Sequence, residues 1–265
     1  MKIGKSTVPR TAISTSDEHS ISVRGEDLCR DLIGRISFTD YFSLLVTGRR
    51  PTRGEAAVLD ATLVAIAEHG LVPSVQASRM TYAAAPDALQ GAVAAGILGC
   101  GSVILGASET AGRLFTEVSE QAKDGDLRAA ARDAVGRWRA KGHPIPGYGH
   151  PLHKERDPRV AALFRVAKDS KVDQRYVQIA EAIEQVIPDA VGKDLRLNVS
   201  AAIPAVLLGA GFPLAALRGV PILARTASLI AHLNEELSVA SGFALSYQAT
   251  RELVYDGEGA GKKPA

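Results

Sequence analysis

Two histidines and two arginines stand beside glycine, proline or other small residues, where they could bind an anionic ligand. They are His69 in AIAEHGLVPS, His150 and Arg159 in PGYGHPLHKERDPR, and Arg225 in ILARTAS. Arginine binds a carboxylate through a bidentate fork, and histidine can donate to a carbonyl or hydroxyl oxygen, so the set suits a small polycarboxylate. The alternative is structural, with Arg159 and Arg225 as ion-pair partners on helix surfaces and His69 as a cap at a helix end.

Other motifs for catalysis or metal binding are missing or incomplete. His150 and His153 have a proline between them, and no cysteine or carboxylate completes a ligand set, so we predict no metal. A Gly-x-Gly-x-x-Gly phosphate loop fails at Ile104. There is no Gly-x-Ser-x-Gly motif, and neither Cys29 nor Cys100 has a neighbouring histidine, which argues against a hydrolase nucleophile.

Composition sets the broad class. The 265 residues are 46% hydrophobic and 23% charged, which is typical of a folded globular protein. The net charge of +2 gives no reason to expect a nucleic-acid partner. Two cysteines do not make a disulfide framework, and the first ten residues lack the apolar core of a secretory signal, so we expect a cytoplasmic location.

Helices are expected to position the candidate residues, because helix formers are abundant and strict apolar and polar alternation is almost absent. We therefore predict an all-α fold. Asp157 and Pro158 form a typical helix start before Arg159, and Gly48 with Pro51 is a typical helix stop. The predicted helices cover residues 38–46, 53–68, 159–168, 174–186, 203–208 and 213–237.

Residues 88–108 carry no charge over a length that could cross a bilayer. Five glycines and the absence of an aromatic belt argue against a membrane helix. We instead predict a helix of small residues, buried at the centre of the helical core and followed by a glycine-rich turn.

Residues 141–157 form a different kind of segment, with three prolines, three glycines and three histidines in one connector. A connector so rich in these residues is a candidate site. From about residue 20 to 236 the chain resembles the citrate synthase superfamily. The resemblance lies in this segment and, in chain order, in SVRGEDLCRDLIGRISFTDYFSLLVTGRRPT, AEHG and GCGSVILGASE before it and LNVSAAI and ILARTASLIAHLNEEL after it. The short chain is most similar to the citryl-CoA lyase branch, which is related to the C-terminal module of ATP-citrate lyase.

The resemblance implies a citrate synthase-like, two-domain helical fold, with residues 1–108 and 199–265 in a large domain and 109–198 in a small one. It also implies a homodimer, with the active site in the cleft between domains. His69, His150, Arg159 and Arg225 fall where the family binds the oxaloacetate or citrate moiety. The family approaches coenzyme A with a loop that corresponds here to Pro146, Gly147, Tyr148, Gly149 and Lys154.

The chain departs from the family pattern at two catalytic positions. Ile104 replaces the histidine that stabilises the thioester enolate. The ATP-citrate lyase module also lacks a histidine at this position, so this loss alone does not exclude lyase chemistry. Ser200 replaces the aspartate that takes a proton from the acetyl methyl, and a serine is not a base near neutral pH. Glu109 is a possible substitute carboxylate, although a place on a helix surface is the ordinary role of a glutamate.

Two functional hypotheses follow. The first is an enzyme that makes or breaks a carbon–carbon bond between an acyl-CoA and a 2-oxo acid. In it His69, Arg159 and Arg225 bind the acid, His150 polarises or deprotonates the oxygen, and backbone amides between Gly101 and Gly106 stabilise the enolate. His150, His69 and the residue at the aspartate position, Ser200, form its candidate catalytic set. The second is a catalytically weakened homologue that binds a carboxylate or CoA ester. Neither requires a metal, a nucleic acid or a membrane.

Overall fold

A computed structural model describes residues 8–122, 125–149 and 156–257. These residues form a predominantly helical structure, which confirms the all-α prediction. The helices are α1 (Phe38–Thr47), α2 (Arg53–Ala67), α3 (Pro73–Ala84), α4 (Leu89–Leu98), α5 (Gly106–Gln121), α6 (Leu127–Ala140), α7 (Pro158–Asp169), α8 (Arg175–Val191), α9 (Val199–Gly209), α10 (Gly219–Glu236) and α11 (Gly242–Thr250).

Local sequence signals explain several helix ends. Gly48 ends α1 in the left-handed conformation at φ 79°, as the predicted stop requires. Asp157 caps α7 and Pro158 occupies its first turn, as predicted. Helix α9 begins earlier than predicted, because Asn198 accepts from the Ser200 amide and so starts a helix that continues through Pro204.

A small antiparallel sheet precedes the helices and was not predicted. Its strands are β1 (Ser14–Ser16), β2 (Ile21–Val23) and β3 (Glu26–Asp27), in the order β1-β2-β3. In its register Ser14 lies opposite Val23 and Ser22 lies opposite Asp27. Strands of two or three residues are too short to show an alternating pattern. A π-helical turn over Leu28–Leu32 follows β3.

The chain divides into two compact units. The first contains the described residues of Met1–Ala65 and Ala107–Arg218, and the second those of Ile66–Gly106 and Gly219–Ala265. These boundaries differ from those of the predicted domains, 1–108 with 199–265 and 109–198, and that division stays a prediction. In the first unit α8 packs against α6 and α9, and α7 against α9. Its fully buried side chains include Phe115, Ile183 and Leu207.

In the second unit α3 packs against α4, α10 and α11, and α10 packs against α4. Its interior contains a polar cluster around Arg79, which is 3% exposed. Arg79 bonds to the Glu236 carboxylate at 2.8 Å, to Glu235 and to the Ser241 hydroxyl at 3.2 Å. Glu236 also accepts the amides of Ser241 and Gly242, at 2.7 and 2.6 Å, so it caps the start of α11.

The apolar segment 88–108 is not the buried central helix that we predicted. Within α4 only Ala92 and Gly96 are buried, while the Leu98 side chain is 84% exposed. Gly96 is buried because its helix lies against Leu229 and Ser74, so closely that a methyl group would come within 2.7 Å of Leu229. Small residues permit this close approach on one side of α4. Because small residues are equally suited to an exposed face, the sequence did not determine whether the other side of α4 is buried.

By length and composition the helical stretch Leu214–Glu236 could cross a membrane, a test that a core helix passes equally well. This stretch contains two buried charged residues, Arg225 and Glu236. Charged side chains are costly at the centre of a bilayer.

Candidate active site

Arg159 is clamped by Asp157 in the first turn of α7. One carboxylate oxygen of Asp157 accepts the Arg159 amide and Nε, each at 3.0 Å, and the other accepts Nη2 at 2.8 Å. The Asp157 side chain is 1% exposed and that of Arg159 is 25% exposed. The ion pair expected under the structural alternative is therefore present.

The clamp engages only one edge of the guanidinium. Arginine has five N–H donors. Nη1 of Arg159 lies 3.5 Å from the Ala65 carbonyl oxygen, so contacts within the described residues engage three donors. The other two donors, one on Nη1 and one on Nη2, are left by these contacts for a bound carboxylate. An ion pair to Asp157 and a bound acid are thus compatible on one side chain.

Asp157 also joins α7 to the start of α9. Its carboxylate accepts the Val199 amide at 3.2 Å, and its own amide donates to the Leu197 carbonyl at 3.3 Å. Burial raises the pKa of Asp157, but hydrogen bonds from the side chain and backbone of Arg159, with that from Val199, outweigh burial and hold it below its usual value. The same carboxylate therefore fixes Arg159 and the helix turn that carries the half-buried Ser200.

The described part of the proline- and glycine-rich loop packs tightly against the start of α9. Asn198 donates its amide to the Gly147 carbonyl at 3.0 Å and its side-chain nitrogen to that of Gly149 at 2.7 Å. Gly147 has φ +84°, and a methyl group there would lie 2.5 Å from the Ala201 methyl. Glycine is required at position 147 for both its backbone conformation and the close contact.

Tyr148 packs in the interior of the first unit. It is 7% exposed and its hydroxyl donates to the Ala180 carbonyl at 2.8 Å. Burial, and then the Glu184 charge, raise the pKa of Tyr148 well above its usual value. The assignment of coenzyme A to Pro146, Gly147, Tyr148 and Gly149 stays a prediction.

Three residues of the same loop, His150, His153 and Lys154, lie outside the described residues. The roles assigned to His150 and Lys154 therefore also stay predictions.

Sequence reasoning missed the ion pair between Arg156 and Glu184. Nε of Arg156 lies 3.3 Å from the carboxylate, and its Nη2 forms a second contact. This hydrogen bonding to Glu184 raises the pKa of Arg156. Glu184 also accepts the Leu197 amide at 2.7 Å, so the pair supports the strand-like segment beside Tyr148. An acidic residue within the apolar face of α8 was the available signal.

In the second unit, Glu68 joins the segments that carry His69 and Arg225. Its carboxylate accepts the His69 amide at 2.8 Å and the Ser228 hydroxyl at 2.5 Å, and it also accepts the Gly70 amide. Arg225, 4% exposed, precedes Ser228 by three residues on α10, so the two share a helix face. His69 itself is exposed at the end of α2, where Glu68 accepts the backbone amides.

The turn before α5 contains the backbone amides that we expect to stabilise the enolate. Those of Leu105 and Gly106 both donate to the Gly101 carbonyl at 3.1 Å, and the role of the amides between Gly101 and Gly106 stays a prediction. Ile104 is 43% exposed, whereas Leu105 is 3% exposed. Glu109, the possible substitute carboxylate, forms an ion pair with Arg113 at 2.7 Å on the same helix, the ordinary role expected for it.

The candidate residues are divided between the units. Arg159, Ser200 and the loop residues 146–149 belong to the first, and His69 and Arg225 to the second. Across residues 8–122, 125–149 and 156–257, no three histidine, cysteine or acidic side chains group as they would around a metal ion.

Residues 21–242 match the family model described as "Citrate synthase, C-terminal domain". Curated relatives include a citrate synthase of Heyndrickxia coagulans, 26% identical over 76% of this chain and 52% of that protein. A citrate synthase of Synechocystis sp. is 28% identical over 77% of this chain and 51% of that protein. The chain thus spans about half the length of these relatives.

Two solved structures agree with this match. Citryl-CoA lyase from Hydrogenobacter thermophilus has a TM-score of 0.84 and 32% identity, covering 97% of this chain and 98% of that chain. ATP citrate lyase from Methanothrix soehngenii, in complex with citrate and coenzyme A, has the same fold, with a TM-score of 0.79 and 23% identity over 99% of this chain and 44% of that chain. The resemblance predicted from the sequence is confirmed: the chain belongs to the citrate synthase family, whose members include the enzymes citrate synthase and citryl-CoA lyase.

Proposed function

We propose that this protein cleaves a citryl-type CoA thioester into an acyl-CoA and a 2-oxo acid, most simply citryl-CoA into acetyl-CoA and oxaloacetate. The observation that supports this most strongly is the end-to-end match to citryl-CoA lyase, which covers nearly the whole of both chains. The match to the curated citrate synthases, by contrast, covers only about half of each of those proteins.

The acid half of the substrate would be bound by Arg159, Arg225 and His69. Arg159 has one N–H donor on Nη1 and one on Nη2 beyond those that contact Asp157 and Ala65. Arg225 is buried, where an interaction with a carboxylate is less screened than at the surface. A citrate-like ligand carries several carboxylates, so more than one arginine is chemically appropriate.

Cleavage requires a base that removes the proton of the tertiary hydroxyl. The carbon–carbon bond then breaks, its electron pair passes to the thioester as an enolate, and protonation of the enolate gives the acyl-CoA. We assign the base to His150. We assign the stabilisation of the enolate to backbone amides between Gly101 and Gly106, of which those of Leu105 and Gly106 donate to the Gly101 carbonyl in this structure.

The direct test incubates purified protein with citryl-CoA and couples the released oxaloacetate to NADH oxidation by malate dehydrogenase. We expect NADH loss in proportion to enzyme, and much slower loss with Arg225→Ala. No oxaloacetate above the uncatalysed rate at high enzyme concentration would refute the proposed cleavage.

A second candidate function is a binding protein for a carboxylate or CoA ester, favoured by Ile104 and Ser200 at the two catalytic positions. The double variant Ile104→His with Ser200→Asp discriminates between the two. Ile104 is 43% exposed and Ser200 lies in the first turn of α9, where an acidic residue suits the helix dipole, so the variant should fold. Activity that appears only in the variant favours a binding role for the parent. Loss of an existing activity favours the enzyme.

We also propose a homodimer and a cytoplasmic location. Large apolar side chains of the second unit are exposed, among them Leu98, Val103 and Phe243 at 84%, 84% and 69%. Such surface suggests an interface. Sedimentation should show a dimer that Leu98→Lys weakens, while Val64→Lys, at a position 73% exposed in the first unit, leaves it intact. A monomeric parent would contradict the dimer.

A further inference from the structure

His232 on α10 lies between Arg79 and Glu68. Its Nδ1 is 2.9 Å from Nη2 and 3.3 Å from Nε of Arg79, and its Nε2 is 3.0 Å from a Glu68 oxygen. A guanidinium has donors only, so Nδ1 must be the acceptor. The ring proton therefore lies on Nε2 and is donated to Glu68.

The network has a buried end and an exposed end. At the buried end, Arg79 is held by Glu236, whose side chain is 4% exposed. At the other end, Glu68 has a side chain 56% exposed and accepts the amides of His69 and Gly70. The hydrogen bonds thus run from the interior of the second unit to the backbone of His69.

Glu68 uses both carboxylate oxygens. One accepts the two amides at His69 and Gly70, and the other accepts the Ser228 hydroxyl and the His232 ring N–H. Burial raises the pKa of Glu68, but these hydrogen bonds, chiefly from Ser228 and Gly70, lower it below its usual value, so the group is a carboxylate at neutral pH. A neutral amide has one acceptor oxygen and cannot satisfy four donors.

We propose that Glu68 is a positioning residue, oriented by His232, that fixes the backbone of His69 beside the helix that carries Arg225. This inference rests on the proposed function, in which His69 and Arg225 bind the oxo acid. A contribution to stability alone explains the arrangement poorly, because ion pairs and carboxylates so exposed stabilise a fold only slightly. Misplacement of a ligand-binding group, by contrast, has large effects on binding and rate.

The first test compares Glu68→Gln with Glu55→Gln by oxaloacetate calorimetry and urea unfolding. Glu55 is a matched control, because it lies near the start of α2 and also accepts a backbone amide, that of Thr52 at 2.8 Å, and an arginine. We expect Glu68→Gln to raise the dissociation constant about tenfold or more, with a urea midpoint no lower than that of Glu55→Gln. Equal dissociation constants in the two variants would overturn the inference.

The second test replaces His232. A glutamine can reproduce the deduced polarity, with its oxygen toward Arg79 and its NH₂ toward Glu68, whereas a leucine cannot. We expect His232→Gln to keep oxaloacetate affinity and KM for citryl-CoA close to the parent values. His232→Leu should weaken oxaloacetate binding and raise KM for citryl-CoA, and should change kcat less. If the two variants behave alike, His232 does not orient Glu68.

A ligand-free measurement separates failure of this inference from failure of the proposed function. The backbone amide signals of His69 and Gly70 in ¹⁵N-labelled protein should move in Glu68→Gln and remain unchanged in Glu55→Gln. Unmoved amides overturn the positioning role. If the amides move but the parent binds no oxaloacetate, the proposed function and the acid named here fail, while the geometry stands.

Discussion

Replacement of Asp157 should destabilise the protein much more than replacement of a cap with the same local sequence. Asp157 caps α7 and is followed two residues later by Arg159, and Asp126 caps α6 and is followed two residues later by Arg128. Both carboxylates accept the backbone amide of that arginine, at 3.0 and 2.8 Å. Asp157 differs in its burial, in its clamp on the arginine side chain and in its bond to Val199.

The magnitude follows from these differences. Loss of a cap to alanine costs about 1 kcal/mol, and the Val199 amide left without its acceptor costs about 1 kcal/mol more. Removing one partner of a fully buried ion pair costs about 3 to 5 kcal/mol, which we reduce to about 2 because Arg159 is one quarter exposed. We therefore expect about 4 kcal/mol for Asp157→Ala, and about 3 kcal/mol for Asp157→Asn, which keeps the cap but turns its NH₂ group toward the Val199 amide.

Urea unfolding of four variants tests this reasoning. Asp126→Ala should cost about 1 kcal/mol and Asp126→Asn almost nothing, because an exposed cap is served equally well by either side chain. If Asp157→Asn proved as stable as Asp126→Asn, the charge on Asp157 would contribute nothing and the argument from the clamp would be refuted.

The stability of the parent should depend on pH through the same carboxylate. The folded pKa of Asp157 lies below the usual value, because the bonds from Arg159 and Val199 outweigh burial. Its stabilisation is thus complete above the unfolded pKa of about 3.9 and is lost as pH falls through the folded pKa. The difference between the parent and Asp157→Asn should be constant near neutrality and shrink below about pH 4. A difference unchanged down to about pH 2 would contradict the lowered pKa.

Two further substitutions test the site. Gly147→Ala should cost at least about 3 kcal/mol, from its positive φ and the clash with Ala201, whereas Gly142→Ala, at φ +75° with open space around it, should cost only about 1 kcal/mol in the same urea assay. Equal losses would rule out the close contact. Arg225→Ala should weaken the binding of oxaloacetate by about 2 to 5 kcal/mol, as measured by calorimetry. The control Arg175→Ala removes hydrogen bonds to Ser119 and Ala122, so it should lower stability and leave oxaloacetate affinity unchanged. If both variants lost oxaloacetate affinity to the same extent, Arg225 would contribute to the fold alone.

The fold was predictable where the signal is local. Gly48 ended α1 and Asp157 with Pro158 started α7 because caps and turns depend on neighbouring residues. The apolar run 88–108 was misplaced in the core because small residues suit both a close helix contact and an exposed face, and only the packing of α4 against α3 and α10 decides between them.

The candidate site was predictable by residue type more than by contact. Arg159 and its cap were identified from adjacent residues. The bond from Ser228 to Glu68 joins positions 160 residues apart, and the pair of Arg156 with Glu184 joins positions 28 apart. Spacing along one sequence carries no signal for such contacts. The place of Glu184 within the apolar face of α8 is a signal that this carboxylate needs a partner, but it does not indicate which one.

The cap that Glu236 forms on α11 has a consequence for trimming by proteases. Residues 237–240 are exposed, while Ser241 and Gly242 just beyond them supply three of the donors to the Glu236 carboxylate. A cut in this exposed stretch would leave α11 held by its packing against α3, and if α11 then separated, Glu236 would keep Arg79 as a donor but lose those of Ser241 and Gly242. A nick near the C-terminus would therefore loosen the interior of the second unit, and would do so far from the bond that was cut.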